Sequence, residues 1–124
     1  MHQCVLIQPL MESFRRQGAD VYREYPAING TYIGSVDIWV AFDQIRIAIE
    51  AELTPKRIGA DIKKAQALRA DELWIVVPTQ RVVRAVRRKL ATMSKPTGGL
   101  DLFLLTQGQA LSRVTNCLSL FAGS

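Results

Sequence analysis

A chain of 124 residues with 48% hydrophobic and 22% charged residues has the composition of one globular domain, 1–124, able to form a core without covalent staples. Its net charge of +5 and pI near 9.6 bias it towards polyanionic partners. No apolar run reaches the roughly 18 residues of a membrane span, Cys4 and Cys117 are too few for a disulfide framework or zinc site, and a single histidine, His2, excludes histidine-centred nucleases and Ser-His-Asp triads.

The start, MHQCVLIQPL, lacks a basic n-region and does not read as a signal peptide, so a reducing, cytoplasmic location without membrane contact is expected. Residues 10–25 put Leu10, Met11, Phe14, Gly18, Val21, Tyr22 and Tyr25 on one helical stripe that Pro26 ends. Asn29-Gly30 marks a tight turn, with a short extra strand expected near 28–33. A hairpin follows over 32–42 and 45–53. Thr54-Pro55 reads as an N-cap with proline at the first helical position, and Gly59 delays a helix expected over 60–70. LWIVV, 73–77, suits a strand buried on both faces. RVVRAVRRKL, 81–90, is a basic amphipathic helix: Val82, Val83, Val86 and Leu90 point inward, and Arg81, Arg84, Arg87, Arg88 and Lys89 point outward. KPTGG is a turn, LDLFLL at 100–105 a strand, and Leu111, Val114, Leu118 and Phe121 mark a closing helix. The order is α-β-β-α-β-α-β-α, with the further strand near 28–33 in addition.

The hairpin VDIWVAFDQIRIAIEAEL, residues 36–53, carries the chemistry. A turn centred on Asp43-Gln44 places Phe42 opposite Ile45, Ile38 opposite Ile49 and Asp37 opposite Glu50. One face then collects Val36, Ile38, Val40, Phe42, Ile45, Ile47, Ile49, Ala51 and Leu53 and is core. The other holds Trp39, Ala41 and Ala48 near the turn, which suits a covering helix, and Asp37, Glu50 and Glu52 away from it. Like charges directly opposed on one face are destabilising. A basic partner, protonation of one acid or a divalent cation offsets that; the plain alternative is a set of solvated acids on an exposed sheet face.

With SVDIWVAFDQIRIAIEAEL followed by DIKKAQAL and ELWIVVP, the sequence resembles the PD-(D/E)XK nuclease superfamily over residues 10–78. That family has an acid on one strand, E-x-K on the next, then a helix and a buried strand. The resemblance implies an α/β fold with a restriction-endonuclease-like α-β-β-β-α-β core, a mixed central sheet flanked by helices on both faces. It implies a Mg²⁺- or Mn²⁺-dependent phosphodiester hydrolase, a small DNA endonuclease acting as a homodimer, with RNA the lesser alternative. Asp37 and Glu50 would hold the main ion, with the Ala51 carbonyl as a further ligand. Glu24 in VYREYP would anchor a second ion or its water. The family lysine is replaced by Glu52, giving E-x-E, with Glu52 as base or orienting group beside the attacking water. Some relatives move the lysine onto the following helix, where Lys63 and Lys64 stand; Lys56 lies in the loop. Others have lost activity.

The basic face of 81–90 reads as a phosphate-tracking surface or as an ordinary solvated face. Besides the nuclease, two readings remain: a nuclease-fold protein without catalysis that binds nucleic acid or protein, and a small α/β interaction protein whose acids are surface charge.

Overall fold

The computed structural model describes the backbone of residues 3–94 and 98–122 and the side chains of 5–94 and 98–116. The elements run α1 (Gln3–Arg16), β1 (Asp20–Asn29), β2 (Thr31–Phe42), β3 (Ile45–Ala51), a 3₁₀ turn (Pro55–Arg57), α2 (Ile58–Ala67), β4 (Glu72–Val77), α3 (Gln80–Ala91), β5 (Asp101–Thr106) and α4 (Gln107–Ala122). The fold is α/β. Its five-stranded mixed sheet has the order β1-β2-β3-β4-β5, antiparallel from β1 to β3 and parallel from β3 to β5. His2, the side chains of Cys4, Cys117, Leu118 and Phe121, and residues 95–97 of the expected KPTGG turn lie outside the described residues. Among the described residues no helix is long and apolar enough to cross a membrane.

The helix expected over 10–25 is two elements. α1 starts at Gln3 and ends at Arg16, and β1 begins at Asp20. Arg15 and Arg16 sit at the negative end of the helix dipole, and Gly18 takes φ +88, the left-handed turn that ends helices. VYREY, rich in β-branched and aromatic residues, then suits a pleated surface. Pro26 lies within β1 rather than ending a helix, and is tolerated because β1 borders the sheet. In α1, Leu6, Ile7, Leu10, Met11 and Phe14 form the buried stripe. Pro9, inside that helix, lacks the N–H that would bond the Val5 carbonyl. Gln107 of α4 supplies the missing donor, its Nε2 reaching Val5 O at 2.7 Å and Leu6 O at 3.2 Å.

The β2–β3 register is the one that the alternation demands: Ile38 opposite Ile49, Trp39 opposite Ala48 and Phe42 opposite Ile45. Asp43 accepts φ +56 in the turn. Ile38, Val40, Ile47, Ile49 and Ala51 pack against α1 and α4 with Trp74 and Val76 of β4. Trp39 and Ala48 pack on the other face with Leu73, Ile75 and Val77, under Ile58, Ile62 and Ala65 of α2 and Val83 and Val86 of α3. The sheet is therefore covered on both faces.

Two residues of the expected core face are placed differently. Val36 joins Trp39 under α2 and α3 rather than Ile38 under α1, because alternation slips at Asp37. β1 slips at the same level: Glu24 takes φ +51, so that Tyr22 and Tyr25, three residues apart, come into ring contact at 5.6 Å. Tyr25 stacks on Trp39 at 5.5 Å. Leu53 is exposed, since β3 ends at Ala51.

Candidate functional site

Regular pairing of β2 with β3 stops at Ile38 and Ile49. Beyond it, side chains replace the backbone ladder. The Asp37 N–H donates to Glu50 Oε1 at 3.0 Å, and the Ala51 N–H donates to Asp37 Oδ2 at 2.8 Å. Each carboxylate thus takes an amide from the opposite strand, a charge-assisted bond that offsets part of the repulsion between opposed acids. Glu50 is 1% exposed, whereas Asp37 is half-buried.

α2 completes the arrangement from above. Ile58, Asp61, Ile62 and Ala65 follow the i, i+3, i+4, i+7 spacing of a buried stripe, so Asp61 is carried into the protein with its apolar neighbours. Lys64, one turn on and 3% exposed, runs inward beside it. Its Nζ lies 2.6 Å from Glu50 Oε2, 2.8 Å from the Ser35 carbonyl and 3.5 Å from Asp61 Oδ1. Three acceptors surround an ammonium that has three protons to give. Gly34 makes room for this path: at φ +129, a Cβ there would lie 3.1 Å from Lys64 Cδ.

The electrostatics follow from burial. Desolvation pushes Glu50 up to about 7, with the Asp37 charge adding to it and Lys64 opposing. Asp61 is pushed up to about 10 by burial first, then by a hydrogen bond with Glu52 and the charges of Glu50 and Glu52. Apart from the 3.5 Å contact of Oδ1 with Lys64, an ionised Asp61 meets no donor among the described residues; a proton on Asp61 turns its contact with Glu52 into a hydrogen bond. For Lys64, burial pulls down, but Glu50 and then Asp61 outweigh it and hold the ammonium above its ordinary range.

Four acids and one lysine therefore meet at the C-terminal end of β3. Asp37, Glu50, Glu52 and Lys64, singled out from the sequence, are brought together. Asp61 was not singled out, although its place on the Ile58–Ala65 stripe is a readable signal. Lys63, next to Lys64, faces outward and is exposed. Glu24 lies on β1 rather than on a helix, and is exposed. Its neighbours pair as Arg23 with Ile38 and Tyr25 with Val36, which sets Glu24 level with Asp37. Lys56 is exposed in the 3₁₀ turn. Arg81, Arg84, Arg87, Arg88 and Lys89 are all exposed along α3, and Val83 and Val86 are buried. Among the described residues, no three or more His, Cys, Asp or Glu side chains are gathered so as to hold a metal ion. The sequence matches no family model, and no curated protein matches it.

Proposed function

We propose that this protein is a metal-dependent nucleic-acid hydrolase, a small DNA endonuclease of the restriction-endonuclease-like type, working through Asp37, Glu50 and Lys64. One observation carries the reading: Lys64, from α2, stands 2.6 Å from Glu50. It supplies the acid-acid-lysine combination that E-x-E lacks along the strand. Asp37 and Glu50 together offer a hard cation two carboxylates, which fits Mg²⁺ or Mn²⁺ as a pair of ligands rather than as a full cage. When bound, such an ion neutralises phosphate charge and acidifies a water.

The protein's own groups do the rest. Lys64 directs positive charge at the place where charge develops on phosphate oxygens. Asp61, 3.5 Å from Nζ, and the Ser35 carbonyl hold the ammonium against Glu50. Glu24, level with Asp37 on the neighbouring strand, is the carboxylate available to a second ion. The exposed arginines of α3 follow the phosphate backbone. Cutting both strands of a duplex takes two sites, hence a homodimer.

The test is a nicking assay on supercoiled plasmid in Mg²⁺ or Mn²⁺. Wild type should cut, and Glu50→Gln and Lys64→Met should each lose at least about a hundredfold in rate. Cleavage that survives Glu50→Gln overturns the assignment. A second reading, a nuclease fold without catalysis, is favoured by the closed state of the cluster, with Lys64 already taken up by Glu50, Ser35 and Asp61. Calorimetric titration of Mg²⁺ into wild type and Asp37→Asn separates the two: binding lost in the variant supports the hydrolase, and silence in both supports the inactive fold.

A further inference from the structure

The β1–β2 hairpin overhangs β3: β2 pairs with β1 through Thr31 but with β3 only from Ile38 onward. α2 packs against this overhang through Lys64, whose Cδ would lie 3.1 Å from a Cβ at Gly34. Beside that contact the two elements part and leave an open cavity of about 660 Å³. Asn29 and Ile33 of the hairpin line one wall. Lys63 and Gln66 of α2, with Arg69 just past its end, line the other. Lys63 and Lys64, adjacent in sequence, thus divide between cavity and buried cluster.

The lining is chemically one-sided. It holds two cations, two amides and aliphatic side chains, and among the described residues it holds neither an acid nor an aromatic ring. Neither Lys63 nor Arg69 pairs with a carboxylate among the described residues. Arg69 also borders a second open cavity, of about 480 Å³, whose lining includes Asp71. That carboxylate accepts the Arg46 N–H at 2.8 Å and makes no ion pair with Arg69. Lys63, Gln66 and Arg69, each three residues from the next, set donor beside donor along one edge of α2 and its end. Tyr32 and Ile28, on the opposite face of the hairpin, lie outside both cavities.

The backbone gives a second, independent sign. The Arg69 N–H donates to the Gln66 carbonyl at 3.1 Å and the Ala70 N–H to the Ala65 carbonyl at 3.0 Å, the paired closure that ends α2. Its pivot is Arg69, at φ +56, where glycine fits without strain. A helix end that takes a strained arginine in place of glycine gives up stability to keep a guanidinium at that point.

Unpaired cations and amides without a ring suit one partner. Phosphates are held by such donors, whereas unpaired bases need rings to stack on, which this lining does not offer. We propose that the cleft between the β1–β2 hairpin and α2 binds the phosphate backbone of duplex DNA, whatever its base sequence, through Lys63, Gln66 and Arg69. This rests on the nucleic-acid reading above and adds to the α3 arginines a second row of phosphate contacts, one residue removed from Lys64.

Fluorescence anisotropy in EDTA tests it, with two labelled blunt duplexes of about 20 base pairs and unrelated sequence, and an oligothymidine of equal length. Both duplexes should bind alike, and more tightly than the single strand. Lys63→Gln and Arg69→Gly should each flatten the dependence of log affinity on log salt by about one, equally for both duplexes. Combined with Arg84→Ala, these losses should add. Arg69→Gly should at the same time raise the urea midpoint, because it relieves the strained residue. Weaker binding by a more stable protein is a result that a merely structural arginine does not give. An unchanged salt slope in either variant, tighter binding of the single strand, a midpoint lowered by Arg69→Gly, or no DNA binding at all overturns the proposal. Because EDTA removes any metal, the cleft and the hydrolase fail separately. Slopes that respond to Lys63 and Arg69 without cleavage in Mg²⁺ uphold the cleft and sink the hydrolase. Cleavage that depends on Glu50 while the slopes ignore both residues sinks only the cleft.

Discussion

On one side of the sheet, α1 and α4 meet the strands through Leu6, Leu10, Phe14, Ala110 and Val114, and the Phe14 and Trp74 rings lie 5.5 Å apart. On the other, α2 and α3 also lay down aliphatic residues, yet α2 drives Asp61 and Lys64 into the same layer. The charge outside differs as well. Of the 16 lysines and arginines, nine lie in the 3₁₀ turn, α2 and α3, with Asp61 the one acid there; α1 and α4 together hold three cations and Glu12. Both layers close the sheet, but among the described residues the α1–α4 side carries only the partly exposed Arg113–Glu72 pair, whereas the α2 side fully buries Asp61 and Lys64. Such groups gain little stability over well-packed apolar residues, so their presence points to a role other than holding the fold together.

The contrast can be broken from the apolar side first. Trp74→Ala, removing a fully buried ring that also donates to Glu72 at 2.8 Å, should cost about 4 kcal/mol in urea unfolding. Next comes the charged side. Lys64→Met should cost about 3 kcal/mol by leaving Glu50 without its counter-charge, and the double variant Glu50→Gln with Lys64→Met should recover most of it. A double variant no better than the single would mean that the pair is structural rather than functional.

Asp61 should act in the opposite direction. Burial, and then the contact with Glu52, push its carboxyl from the ordinary 3.8 up to about 10, so folding takes up a proton that the unfolded chain releases. The stability tied to that proton is present below pH 3.8 and is lost as pH rises towards 10. Asp61→Asn keeps the shape and a donor for Glu52. It should match wild type at about pH 4 and exceed it by about 2 kcal/mol at about pH 8. Smallest in stability is the outer face: Arg84→Ala, Arg87→Ala and Arg88→Ala should each stay within about 0.5 kcal/mol. If α3 follows phosphates, each should also lower the salt slope of DNA binding by about one.

Much of this contrast is legible in the sequence. Period-two alternation reveals the hairpin register between 38 and 49, and misplaces Val36 and Leu53 at its open end, where the strand slips at Asp37 and β3 stops at Ala51. The parallel strands show as unbroken apolar runs, and α3 as a basic face opposite valines. Val21, Tyr22 and Tyr25 mislead because spacings of three and four fit a helix as well as a strand that slips. Gly18 after Arg15 and Arg16 is the local sign that separates them. The pairing of Lys64 with Glu50 is not legible, since it depends on where α2 crosses the sheet. Asp61 is half legible: its stripe is visible, but a lone acid on an apolar stripe says nothing of what it will meet.

β1 borders the sheet, and its exposed Tyr22 and Ile28 would make it an adhesive margin in a crowded cell. Pro26 contributes no amide to that margin, and the left-handed Glu24 turns the strand's pleat two residues before it. The margin is cut into stretches too short to template a neighbouring strand. Fibrous growth through β1 is thereby discouraged. Pro26→Val, which restores the amide, should lower the concentration at which the protein begins to aggregate.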